Sequence, residues 1–300
     1  MKNGSLSPQL KSHEDIKKVL KRIEVSLPLA DGRAVNTLLT YFPIEAGKST
    51  HQQFLHLIKE SLLYNFVFSC SEVEKRLNVR NEKAAEYLFK KAVRKISKAT
   101  AHGELGELLL FTLLDVYIKA PKILSKISLK TNRRMPVYGA DAVHGQMLGD
   151  EFVIYLGESK LHTKFNGAAM KAVKSIKNAS SKYEEELDLI DSHLDFPAID
   201  AELKERLMGF FDPFSEDDQQ PKIHSPCFIG FANPEMIAGS KSEQEFIDNY
   251  LEVAKDHIGL FFEKAESEGI NIDETSLFIL PYSCVESMVD DFIEYVGVKK

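Results

Sequence analysis

The sequence predicts an α/β fold: a central mixed sheet flanked by helices, with a mainly helical N-terminal region. Three observations carry this. Residues 151–162 (EFVIYLGESKLH) form a long β-rich run, and residues 227–233 (CFIGFAN) and 277–283 (LFILPYS) are continuous apolar runs of the type that fill buried strands. Helical patterns separate these runs. Residues 103–120 are apolar nearly all round, as a helix packed into a core must be. With 300 residues, 44% of them hydrophobic, the chain can bury such a core.

The elements follow in order. Residues 22–29 read as extended and end at the DGRA turn. Helical patterns then occupy 50–70, 71–80 and 81–97, the second opening on a Ser71-x-x-Glu74 capping box. This places a mainly helical region at 1–96 and the sheet-bearing domain at 97–300. The helix at 103–120 stops before Pro121. Short strands are predicted at 127–131 and 139–145, the long strand at 151–162, and an amphipathic helix at 169–187. An acidic insertion, 184–218, holds 13 Asp/Glu against 2 Lys/Arg and reads either as a solvated excursion or as a segment covering basic surface. A helix at 242–269 and another at 285–298 flank the last strand.

Composition excludes several classes. Cys70, Cys227 and Cys284 are widely spaced, with no CxxC pair, which argues against a disulfide framework and a thiolate zinc site. There is no apolar signal-peptide core and no stretch long enough to span a bilayer, so a soluble cytoplasmic protein with no membrane partner is expected. The net charge of −7 hides an asymmetry: residues 83–182 hold 18 Lys/Arg against 8 Asp/Glu. A basic middle in an acidic chain suits a local polyanion site; Lys-rich solvated helix faces would give the same count.

The long strand carries the chemistry. At a period of two, Phe152, Ile154, Leu156, Glu158, Lys160 and His162 share one face, so a buried apolar face runs directly into charge. Charges there need partners, and a metal ion with a phosphate would supply them. Asp141, 17 residues before Glu158, can be returned by a hairpin to the same strand end, giving two hard oxygen ligands for Mg²⁺, with Mn²⁺ as a substitute. Asp…Glu-x-Lys on adjacent strands is the signature of PD-(D/E)xK nucleases, with a restriction-endonuclease-like core; here Ala140 stands where the motif's proline would be. Glu104 and Glu107 share a face of the buried helix, and either could add a third carboxylate. His144 and His162 lie near the cluster as accessory groups, since Mg²⁺ prefers oxygen. Lys130, Arg133 and Arg134 precede the Asp strand, and Lys164, Lys171, Lys174 and Lys177 follow the long strand; both groups are candidates for gripping DNA phosphates.

The strings GELGELLLFTLL, GADAVHG and LGESKLH, in this order, resemble the HamA family, nuclease subunits of the Hachiman anti-phage defence system, and the related AbpA abortive-infection proteins. The resemblance is most specific across residues 103–162. It implies a PD-(D/E)xK fold, a partner superfamily-2 helicase, HamB, and Asp141, Glu158 and Lys160 as catalytic triad with Glu104 or Glu107 as helix carboxylate. The expected activity is Mg²⁺-dependent hydrolysis of DNA with little sequence specificity. The alternative is a non-catalytic nucleic-acid-binding adaptor that keeps the fold.

Overall fold

The computed structural model describes residues 6–78, 81–130, 132, 139–196, 199–212 and 220–298. The N-terminal region contains α1 (His13–Val19), β1 (Lys21–Ile23), β2 (Asn36–Tyr41), the small hairpin β3 (Ile44–Glu45) and β4 (Lys48–Ser49), and then α2 (Gln52–Leu57), α3 (Leu63–Val67), α4 (Cys70–Leu77) and α5 (Asn81–Val93). The remainder runs α6 (Ala101–Leu113), β5 (Lys122–Leu124), β6 (Ala142–Leu148), β7 (Glu151–His162), α7 (Phe165–Ser180), α8 (Tyr183–His193), α9 (Ala201–Gly209), β8 (Lys222–Ala232), α10 (Pro234–Gly239), α11 (Glu243–Ser267), β9 (Thr275–Tyr282) and α12 (Val285–Val296).

Among the described residues, seven strands form one mixed sheet in the order β1-β2-β9-β8-β7-β6-β5. The central strands β2, β9, β8 and β7 are mutually parallel, and β1, β6 and β5 join antiparallel to their neighbours. Helices cover both faces. On one, α6 and α12 pack over Phe228, Phe278, Leu280 and Tyr282. On the other, α7 and α11 cover Cys227, Ile229, Leu277 and Ile279. Past the end of that second layer, α8 and α9 cover Phe152, Ile154 and Leu156. The helix α6 packs on β7 over Gly157, where a Cβ would lie 2.8 Å from Leu110 Cδ2, so a larger residue would require Leu110 to shift.

Several expectations needed correction. The strand predicted at 127–131 is a 3₁₀ turn, Lys126–Leu129; the strand lies earlier, at β5, immediately after Pro121. The helix predicted at 169–187 is two helices, α7 and α8, broken at residues 181–182. The cap of α4 is Ser69, whose hydroxyl accepts the Glu72 N–H, whereas Ser71 gives its N–H and hydroxyl to Asp195. Strand β2 was missed. Its NTLLTY stretch follows a turn and carries no clean alternation, yet Leu38 and Leu39 are buried because β9 pairs alongside. The described part of the acidic segment is not a loose excursion: Ile190, Leu203, Leu207 and Phe210 are buried against the sheet. Apolar residues at helical spacing dock, and of the acidic ones Glu186 also turns inward, onto Lys126 and the Ala140 N–H.

Among the described residues no helix is long and apolar enough to cross a membrane. Cys70 and Cys227 are buried, Cys284 is exposed, and all three are free.

Candidate active site

The geometry starts from a short hairpin. Antiparallel pairing of β6 with β7 sets Ala142 opposite Gly157, which leaves Asp141 level with Glu158 just outside the ladder. Asp141 N–H still donates to Gly157 O at 2.8 Å. Two residues further along β7, the acceptor for the Ser159 N–H is the Asp141 side chain. Its Oδ2 accepts both the Ser159 N–H (2.8 Å) and the Ser159 hydroxyl (2.9 Å). The carboxylate is thereby fixed at the sheet edge, between the two helical layers.

Glu158 and Lys160 project to the α7 side, continuing the buried Phe152–Ile154–Leu156 face as expected. The Lys160 ammonium contacts Glu158 Oε1, and Ser175 on α7 lies across the cleft from Glu158, where it favours the charged carboxylate. Burial, then the charge of Asp141, pushes the Glu158 carboxyl upward, against the pull of Lys160. Asp141 is raised by burial, opposed by Lys160 and Ser159. Burial disfavours the Lys160 charge, but Glu158 and Asp141 hold it above the ordinary lysine value.

The other layer contributes Glu107. Burial and then Asp141 raise it, with Lys130 opposing and Glu104 and Glu158 adding to the repulsion. Glu104, one turn earlier, is only 1% exposed and differently occupied. Its Oε1 accepts from Thr100 Oγ1 at 2.8 Å and from Lys130 Nζ at 2.7 Å; its Oε2 is buried with no hydrogen-bond partner among the described residues. The helix thus presents one carboxylate neutralised by lysine and one pressed against Asp141.

Asp141 and Glu158 open onto a cleft of about 730 Å³ whose other walls are α7 (Ser175, Asn178) and α8 (Glu185, Glu186). A larger groove, about 850 Å³, lies at the opposite end of the parallel strands over Val153, Tyr155 and Phe278; none of the sequence-selected residues lines it. Function is therefore sought in the smaller cleft, where the titratable groups converge.

Among the described residues no three His, Cys, Asp or Glu side chains form a ready-made metal cage. The donor chemistry nevertheless suits a hard divalent ion. Asp141, Glu158 and Glu107 all offer carboxylate oxygens, and the burial and mutual repulsion that raise them are of the kind a cation would relieve.

A family model, HamA, matches residues 15–296. The chain belongs to the HamA family. Membership implies a role in Hachiman anti-phage defence. No curated protein matches the chain.

The remaining sequence-selected residues of this HamA-family chain fall into separate places. His144 is fully buried, with Nδ1 2.7 Å from Ala120 O, and does not line the cleft. His162 stands at the end of β7, where its Nδ1 accepts the Lys164 N–H at 3.2 Å and its Nε2 lies 3.3 Å from Lys171 Nζ. Lys130 is buried on Glu104, so its ammonium meets a carboxylate and not solvent. Lys164, Lys171 and Lys174 are exposed; Lys177 is exposed but paired with Glu268 at 2.5 Å. Arg133 and Arg134 lie outside the described residues. Sequence reasoning missed Ser159, Ser175 and Glu186. Ser159 was visible as the middle residue of Glu-x-Lys, but alternation places it on the face opposite Glu158 and Lys160, and nothing in the sequence shows that both its N–H and its hydroxyl reach Asp141.

Proposed function

We propose that this HamA-family protein is a Mg²⁺-dependent deoxyribonuclease with a PD-(D/E)xK core, acting beside the helicase HamB and cutting with little sequence specificity. The observation that carries the reading is the convergence of Asp141, Glu158, Lys160 and Glu107 at one end of β7, with Asp141 and Glu158 lining a cleft. Asp141 and Glu158, with Glu107, would hold Mg²⁺ or Mn²⁺. When bound, such an ion supplies Lewis-acid polarisation of the phosphate and makes water a better nucleophile at neutral pH.

The chain's own residues do the rest. Ser159 holds Asp141 Oδ2 in one orientation, so that this cleft-lining carboxylate is set in place before any ligand arrives. Lys160 is kept charged by its carboxylate neighbours and can donate to an oxygen on which negative charge develops. Lys164, Lys171 and Lys174 offer sequence-independent phosphate contacts on the α7 side of the cleft. No array of exposed aromatic side chains was recognised in the sequence, which fits contact with backbone phosphates more than with bases.

The test is incubation of purified protein, alone and with HamB, with plasmid and linear DNA in Mg²⁺, Mn²⁺ or EDTA. Asp141→Asn, Glu158→Gln and Lys160→Ala should each lower metal-dependent cleavage by about 10²-fold or more while the protein stays folded. Cleavage at wild-type rates by these variants would refute the site. The adaptor reading draws on one observation, that Glu158 and Lys160 already satisfy each other. DNA binding with no cleavage under any condition would favour it.

A further inference from the structure

The acidic segment does more than shield the sheet. We propose that Glu186, on α8, is the positioning residue that fixes the turn carrying Asp141; the inference rests on the hydrolytic reading of the cleft. Asp141 precedes β6, so the ladder does not hold the residues just before it. What holds them is a side chain from another element. Glu186 Oε1 accepts the Ala140 N–H at 3.1 Å and contacts the Lys126 ammonium. With Asp141 N–H bound to Gly157 O, two successive amides are anchored, one to β7 and one to α8.

The grip is tight. Gly139 has φ +98°, a conformation side chains resist, and a Cβ there would fall on the Lys126 ammonium and the Glu186 carboxylate. The ion pair is largely buried, with 7% and 14% of the two side chains exposed. A buried pair is a costly element that a surface helix does not need, since replacing it by apolar residues is often neutral or stabilising. Its place in the fold gives it a use. The helix beneath Glu186 is docked by its own apolar side: Ile190 is fully buried, and Leu187 and Leu189 pack against the core cluster that contains Ala140, Val143 and Ile154. Glu186 itself is engaged by Lys126 and Ala140 and works through Asp141.

Backbone exchange is the direct readout, since it needs neither metal nor DNA. In full-length Glu186→Ala, amide exchange should accelerate at residues 140–142 and, because Asp141 loosens from Ser159, at 158–160, while β8 and β9 keep wild-type protection. Mn²⁺ affinity should fall about 10- to 100-fold, as for supporting partners of metal ligands. Glu186→Gln retains an oxygen for the Ala140 N–H and should restore most of the protection, which a purely charge-based stabilising role would not do. Where Glu186→Ala fails to fold, Glu186→Asp, one methylene too short, is read the same way. Unchanged exchange at 158–160 in these variants, or equal loss in Glu186→Gln and Glu186→Ala, overturns the proposal. Absence of metal-dependent cleavage by the wild type refutes the nuclease reading separately, leaving the exchange result to decide the clamp.

Discussion

Ser159 gives both its backbone N–H and its hydroxyl to one oxygen of Asp141, at 2.8 and 2.9 Å. The first bond belongs to the chain and is open to any residue but proline; the second depends on the side chain. Ser159→Ala should therefore weaken the orientation of Asp141 without abolishing it. The expected result is a decrease of about tenfold in Mn²⁺ affinity and cleavage rate, with about 1 kcal/mol lost in denaturant unfolding. Ser159→Thr, which keeps the hydroxyl, should recover most of the affinity. A Ser159→Ala protein with wild-type metal affinity would mean the backbone bond suffices.

Glu104 and Glu107 should behave oppositely, although they sit one turn apart. Glu104 is tied to Lys130 in a buried pair, so Glu104→Gln leaves a lysine charge without its counter-ion and should cost about 3 kcal/mol of stability. Glu107 is repelled by Asp141, Glu104 and Glu158, so Glu107→Gln relieves repulsion and should preserve or raise stability while cutting metal-dependent cleavage about 10²-fold. Urea titration and plasmid cleavage on the two variants separate the roles. If Glu104→Gln abolishes cleavage at unchanged stability, the helix ligand is Glu104.

The pattern of agreement follows from what kind of information each feature carries. Strand β7 was legible to the residue because a single 12-residue run combines β-branched and aromatic residues with an abrupt change from apolar to charged on one face. The buried α6 was legible from its continuous apolar composition. Strand β2 was not, since its burial comes from β9, more than 230 residues away, and not from its own pattern. The separate fates of Glu104 and Glu107 were likewise hidden: both lie on one helix face, and only the position of Lys130 distinguishes them. The Glu186–Lys126 contact joins residues from the acidic and basic blocks that charge counting had already set apart, but counting could not say which acid meets which base.

The exposed lysines of α7 should contribute unequally to DNA binding. Lys171 and Lys174 have no carboxylate partner among the described residues, whereas Lys177 must leave Glu268 to reach a phosphate. Each lysine engaged with duplex phosphate contributes about 0.9 to the slope of log K against log salt. Lys171→Ala with Lys174→Ala should flatten the slope by about 2, and adding Lys177→Ala should change it little. A Lys177→Ala single variant that alone flattens the slope by about 1 would show that Glu268 does not hold it.

His144 should make the fold sensitive to mild acid. The ring is fully buried and packs at a tilt against Phe111, its Nδ1–H faces Ala120 O, and its Nε2 has no hydrogen-bond partner among the described residues. A proton added at Nε2 would be a buried charge, and burial accordingly lowers the group from 6.5 to about 4, outweighing the Ala120 carbonyl and Asp115, which favour protonation. The folded state binds fewer protons here than the unfolded chain between those two values. The stabilisation is therefore complete above pH 6.5 and is lost as the pH falls toward 4, amounting to about 3 kcal/mol across the window. His144→Asn keeps a donor for Ala120 O and removes the titration. Its absolute stability will be lower, because it leaves space beside Phe111, so the quantity to compare is the slope of unfolding free energy with pH. His224 and His257, also lowered to about 4, titrate alike in both proteins and cancel in the difference. The wild type should lose about 3 kcal/mol more than His144→Asn between pH 6.5 and 4; parallel slopes would mean that the buried ring accepts its proton without penalty.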